Sequence, residues 1–245
     1  MTEFKPCIVV PCYRHFDVLK RNIEQIAAFN VDVFVVNDGN NETVVNDFKE
    51  FIKSLDNVYV IDNEHNLGKG GSMTKAFKLC FEKGYSHVLQ IDADGQQKVE
   101  MINVFLEQAK NNLDKLILGT PIYSNVPKHR LISRYITHFW VSIELGIFKI
   151  VDSMCGMRVY PLDKTYSLIT HRAIGSRMDF DTDIFVRLYW SGVDFIEQGV
   201  EVLYYENGVS NFAPFKDNLR ISIMHTKLCV EKFFNFIRIH KRCYQ

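Results

Sequence analysis

The chain has 245 residues, 47% of them hydrophobic, enough to bury the core of one α/β domain with an extension. Its 29 Lys and Arg balance 29 Asp and Glu, so no global field favours nucleic acid or an acidic partner. Six cysteines form no CxxC pair and no zinc-finger spacing, and Cys7 and Cys80 lie in apolar patterns as small buried hydrophobes, which points to a reduced, cytoplasmic protein. The first residues include Glu3 and no apolar run, unlike a signal peptide.

In chain order, residues 7–10 predict a strand ending at Pro11, and 18–29 a helix with Leu19, Ile23, Ile26 and Ala27 on one side. Strands follow at 33–36, 58–61, 88–91 and 116–118, alternating with helices at 44–55, 72–83 and 99–109. This alternation predicts an α/β fold with a mainly parallel sheet and helices on both faces. Ligands bind such sheets beyond the carboxyl ends of the strands, where Tyr13-Arg14, Asn37-Asp38 and Asp92 to Asp94 fall. Residues 131–151 form an aromatic, apolar helical segment, but Arg134, His138, Glu144 and Lys149 interrupt it too often for a membrane span. Strands at 159–160 and 200–204, a helix at 183–191 and a long amphipathic helix at 217–240 complete the chain. Without repeats or linkers, one domain over 1–215 with a helical extension over 216–245 is expected.

Asp92-Ala93-Asp94-Gly95-Gln96 carries the strongest chemical signal. Two carboxylates at i and i+2 past a buried strand, with an amide oxygen at Gln96, suit Mg²⁺ or Mn²⁺, which also grips nucleotide phosphates. The same residues suit a solvated, Asp-rich turn. Asp38 ends a strand where a base or ribose would donate to it, although Asn37-Asp38-Gly39-Asn40-Asn41 is also plain turn chemistry. Asn66-Leu67-Gly68-Lys69-Gly70-Gly71-Ser72 offers backbone N–H groups and the Lys69 charge to an anion. It matches neither the P-loop nor the dinucleotide pattern, and an ordinary helix start capped by Ser72 is the alternative.

Val10-Pro11-Cys12-Tyr13, Asn37-Asp38-Gly39, Gly68-Lys69-Gly70, Asp92-Ala93-Asp94 and Cys155-Gly156-Met157-Arg158 occur in the order seen in family 2 glycosyltransferases. Over roughly residues 9–220 the chain resembles that family, most of all its dolichyl-phosphate mannose synthase branch with D-A-D-x-Q and S-G-F/M-R. Gly208-Val209-Ser210 and the stretch from Asp217 to Ser222 are similar to bacterial relatives in aryl-polyene and related lipid clusters. The resemblance implies a GT-A fold and metal-dependent, inverting transfer from a UDP- or GDP-sugar to a lipid phosphate or lipid-linked acceptor. A soluble or polymeric acceptor, or a degenerate GT-A scaffold, are the alternatives.

By position, the resemblance puts Pro11, Tyr13 and Asp38 at the nucleoside, Lys69 and Asp92 at the nucleotide, and Asp92, Asp94 and Gln96 on the metal. It brings Arg158 to phosphate, and Asp181 and Asp183 to the acceptor, either of them a base toward a hydroxyl. Acids at a helix start complementing its dipole are the other reading of that pair. Four residues depart from the pattern: Arg14-His15 follow Tyr13 where Asn-Glu is usual, Cys155 replaces Ser, and Ala213 stands where Arg is common. Tyr135, Phe139, Trp140 and Phe148, and Phe233, Phe234 and Phe236 beside Lys227, Lys232, Arg238, Lys241 and Arg242, fit peripheral contact with the cytoplasmic face of an inner membrane. Packing on the core or in a dimer would use the same stripes.

Overall fold

The computed structural model describes residues 3–123, 128–202 and 211–243. Four short apolar runs become β1 (Pro6–Cys12), β2 (Val33–Asn37), β3 (Val58–Asp62) and β4 (His87–Gln90), all parallel. β5 (Leu116–Tyr123) and β7 (Phe195–Val202) run the same way, and β6 (Arg158–Pro161) runs against its neighbours β4 and β5. The order across the sheet is β3-β2-β1-β4-β6-β5-β7.

Period-two alternation divides the strand residues between two cores. Ile8, Val10, Val33 and Val35 face α1 (Phe16–Ala27), α2 (Glu42–Phe51) and α4 (Met101–Asn111). Cys7, Val9, Phe34 and Val36 face α3 (Gly68–Glu82), α6 (Leu162–His171) and α7 (Phe180–Trp190), with α5 (Lys128–Leu145) and α8 (Pro214–Cys243) on the same side. Large rings fill that second layer: Phe77 of α3 meets Tyr160 of β6 edge-on at 4.9 Å. Each such side chain contributes about 2 kcal/mol by leaving water.

α5 turns Val141 and Leu145 inward, and α8 does so with Met224 and Leu228. A buried contact of 2.7 Å between His225 Nδ1 and Glu144 Oε1 ties the two helices, and Arg187 of α7 donates to Glu231 at 2.8 Å. Through Glu231 the C-terminal helix is therefore packed on the domain.

Several boundaries differ from expectation for physical reasons. α3 starts at Gly68 rather than residue 72, so Ser72 lies inside the helix, fully buried, and accepts from Asn63 Nδ2 instead of capping. β7 starts at Phe195, five residues earlier than its apolar run, because its half-exposed edge position tolerates Glu197 and Gln198. α6 has only Leu162, Thr165 and Ile169 as an inward stripe, too sparse to stand out. Tyr204 and the Gly208-Val209-Ser210 stretch lie outside the described residues, as do the side chains of Phe236, Arg238, Lys241 and Arg242.

Candidate functional site

The carboxyl ends of β1, β2 and β4, the start of α3, the loop before α7 and the first turns of α8 enclose a cavity of about 650 Å³. Pro11, Tyr13, Asp38, Lys69, Asp92, Asp94, Gln96 and Asp181, scattered along the chain, all line it. Arg158 and Asp183 do not.

Asp92 leaves the end of β4 with its backbone N–H given to Gln97 Oε1 at 3.1 Å, and Gln97 Nε2 lies 3.4 Å from Asp92 Oδ2. Gln97 thus braces the first carboxylate, a role the sequence did not reveal beside Gln96. Asp94 Oδ1 accepts the N–H of Gln96 at 3.0 Å, the turn that follows from Gly95 being left-handed. Burial and the neighbouring Asp92 charge push the Asp94 carboxyl up to about 6. The pair is held together against its own repulsion.

Lys69, in the first turn of α3, puts its ammonium 2.8 Å from Asp92 Oδ1 and 2.7 Å from Asp181 Oδ2. Burial alone would lower its pKa, but Asp181 and Asp92 raise it, so the cation stays charged. Burial alone would likewise raise Asp181; Lys69 and Arg158 outweigh it and hold that carboxyl below its usual range. Gln90 Nε2 donates to the other Asp181 oxygen at 3.1 Å.

The glycine-rich segment corrects an expectation. Its first N–H groups do not await an anion: Leu67 and Gly68 donate to the Asp38 carboxylate at 2.7 and 3.0 Å, and Gly71 donates to Ser176 O at 3.0 Å. Asp38 also accepts from Asn63 Nδ2 at 3.1 Å. It is a helix cap supplied from β2, satisfying N–H groups that have no partner within α3. Gly70 serves packing, since a Cβ there would lie 2.2 Å from Gly175 O.

Arg158 is a second correction. It is wholly buried on β6, and its guanidinium donates to Cys155 O at 2.7 Å and to Asp181 O and Ser153 O at 2.5 Å each. It knits loop to helix and does not line the cavity. Asp183 is the third: its oxygens accept from Arg187 Nε and Gly175 N, each at 2.7 Å, inside the first turns of α7. Arg177 and Lys216, not singled out from sequence, also line the cavity, together with His15, Asn66 and Arg220, to which the sequence assigned no contact of their own. Lys216 and Arg220 carry the one legible signal, a four-residue basic spacing at the start of an amphipathic helix.

Residues 7–166 match the family model for Glycosyl transferase family 2, and the chain belongs to that family. It is 25% identical over 209 residues to an uncharacterized protein of Methanocaldococcus jannaschii, covering 82% of this chain and 90% of that one. A dolichyl-phosphate beta-glucosyltransferase of Trichomonas vaginalis is 24% identical across 73% of this chain, which spans 59% of that enzyme. An undecaprenyl-phosphate mannosyltransferase of Micrococcus luteus is 25% identical, with 84% and 86% covered. Among solved structures, glucosyl-3-phosphoglycerate synthase of Mycobacterium tuberculosis, in complex with Mn²⁺, UDP-glucose and glycerol 3-phosphate, superposes with a TM-score of 0.64 at 14% identity, covering 93% of this chain and 79% of that one. The fold is GT-A.

Proposed function

We propose that this protein transfers a sugar from a UDP- or GDP-sugar to the phosphate of a polyprenyl-type lipid, with inversion at the anomeric carbon. The relatives named for dolichyl- and undecaprenyl-phosphate support the acceptor class. One observation in the site carries it: the two expected bases are spent. A hydroxyl acceptor needs a group to take its proton. Asp181 is committed to Lys69 and Gln90, and Asp183 to Arg187 and Gly175. His15, made less basic by burial, has Nε2 3.2 Å from the Asn211 amide. A phosphate monoester brings an anionic oxygen and requires no base.

Asp92, Asp94 and Gln96 would hold Mg²⁺ or Mn²⁺. They fit a hard cation: all three bring oxygen donors to the cavity, Asp92 and Asp94 repel each other, and an ammonium already rests on Asp92. Such an ion supplies positive charge to a departing diphosphate. Pro11 and Tyr13 wall the nucleoside side, and Asp38 shapes it by fixing the start of α3. The acceptor oxygen forms its bond to the anomeric carbon as the bond to the nucleoside diphosphate breaks, and that electron pair leaves with the diphosphate. The chain's task is alignment and charge placement.

Peripheral membrane contact belongs to the same reading. Tyr135, Ile136, Phe139 and Trp140 on α5, and Val230, Phe233 and Phe234 on α8, are exposed beside Lys227. No helix among the described residues is long and apolar enough to cross a membrane. Radiolabelled donor with total lipid extract tests the proposal: label passes into the organic phase, and Asp94→Ala stops the transfer while circular dichroism is unchanged. Label confined to a water-soluble glycoside would refute the acceptor class, and turnover by the folded variant would refute the metal site.

A further inference from the structure

The cavity is lined by more positive charge than Lys69 alone. Besides Asp92, Asp94 and the Lys69–Asp181 pair, three cations with no part in donor binding as described above line it: Arg177 in the loop before α7, and Lys216 and Arg220 on α8. A four-residue spacing on a helix puts Lys216 and Arg220 on one face. Each guanidinium is steadied at one end. Arg177 donates to Asn66 Oδ1 at 2.8 Å, and Asn66 in turn donates to Asp38 O. Arg220 donates to Asp217 Oδ1 at 3.0 Å, and buried Asp217 accepts the N–H of Ala213 at 2.7 Å. These bonds orient the guanidinium planes and leave further N–H donors for a ligand. Lys216 has no carboxylate partner among the described residues.

The apolar surroundings are as telling. Phe212 and Ile221 line the cavity beside these cations, and α8 then exposes Phe215, Leu219 and Ile223 to solvent. A basic notch that opens onto an apolar helix face matches a molecule with an anionic head and a hydrocarbon tail.

We propose that Arg177, Lys216 and Arg220 form the subsite for the acceptor's phosphate monoester, and that Phe215, Leu219 and Ile223 carry the chain attached to it. This rests on the sugar-transfer reading and adds which residues of the same cavity receive the acceptor. No proton moves in the step, since the attacking oxygen is already anionic.

The test uses full-length protein and two measurements. Donor-side binding is read as the Mn²⁺-dependent thermal shift given by UDP or GDP. Acceptor-side binding is read by titrating farnesyl phosphate, and separately glycerol 3-phosphate, which shares the headgroup without the tail. Lys216→Ala, alone and with Arg177→Ala, weakens both phosphate monoesters about tenfold or more, the loss expected for a charge-assisted hydrogen bond. The nucleotide shift stays as in the wild type. Phe215→Ser with Leu219→Ser weakens farnesyl phosphate and leaves glycerol 3-phosphate unchanged, which assigns the lipid as source; equal loss for both would overturn the tail path. Lys216 is exposed and has no carboxylate partner among the described residues, so its variant folds even where an arginine variant does not. Unchanged farnesyl phosphate affinity in Lys216→Ala, no binding by the wild type, or a parallel loss of the nucleotide shift would each sink the subsite. A wild-type protein with no nucleotide shift at all would instead refute the transferase reading beneath it.

Discussion

Gly156 has no room for a methyl group: a Cβ there would lie 1.8 Å from Asp92 Oδ2. The backbone before β6 therefore presses directly on a proposed metal ligand, and Gly156→Ala must push that carboxylate aside. A displacement of that size costs about 100-fold in turnover. Mn²⁺-dependent nucleotide binding falls with it while far-UV circular dichroism is retained; a fully active variant would show that Asp92 has freedom the packing denies. Asp38 makes a different prediction, since it caps α3 through two N–H groups. Asp38→Ala costs about 1–2 kcal/mol in urea denaturation, even with no substrate present. The acidic pair Asp92 and Asp94 was legible because its chemistry sits in three consecutive residues. Arg158 was not, because its partners at 153, 155 and 181 converge only once β6 and α7 are packed.

Among the elements, α5 shows how local and distant information divide. Its aromatic pattern is plain in sequence, but its anchor is a loop carboxylate that follows the helix. Asp152 accepts from Arg134 at 2.8–3.0 Å and takes the N–H groups of Met154 and Cys155. Burial alone would raise its pKa; His138 and Arg134 outweigh that and bring it down to about 2. The folded state thus binds this proton less readily than the unfolded chain, whose Asp titrates near ~3.9. The stabilisation is present above that value and disappears as pH falls toward 2, a loss of roughly 2–3 kcal/mol. Urea titrations at pH 6 and pH 3 reveal about half of it, and Asp152→Asn flattens the difference; equal acid sensitivity in that variant would contradict the assignment. The exposed faces of α5 and α8 give a second test. Phe139→Ser with Phe233→Ser reduces flotation with anionic vesicles and shifts Tm little, because neither ring is buried. Unaltered flotation would count against this face. The start of α3 escaped sequence reading because its cap arrives from β2, 30 residues away.

On the scale of the whole molecule, strand–helix alternation made the sheet's first half legible, and the polar clusters at the strand ends located the cavity. The second half was less so. β6 is four residues long and reversed, and β7 is an edge strand with polar residues in its middle. Ligand binding to the assembled site raises the stability of the whole fold, so Tm rises with UDP or GDP when Mn²⁺ is present and little without it. A rise of equal size without the ion would argue for a nucleotide site that works unaided.

The reversal of β6 has one more effect. β5 ends at the ligand side of the sheet, and because β6 points the other way it begins there too. The described residues between them, α5 included, come back to the rim at which β5 ends, as a drawbridge hinges on one bank. The segment from 124 to 157 can thus be exchanged for that of another family member without re-threading a single strand. A graft confined to it replaces the exposed aromatic face of α5 and leaves Arg177, Lys216 and Arg220 with the host, so vesicle flotation changes while the acceptor's phosphate headgroup is still taken.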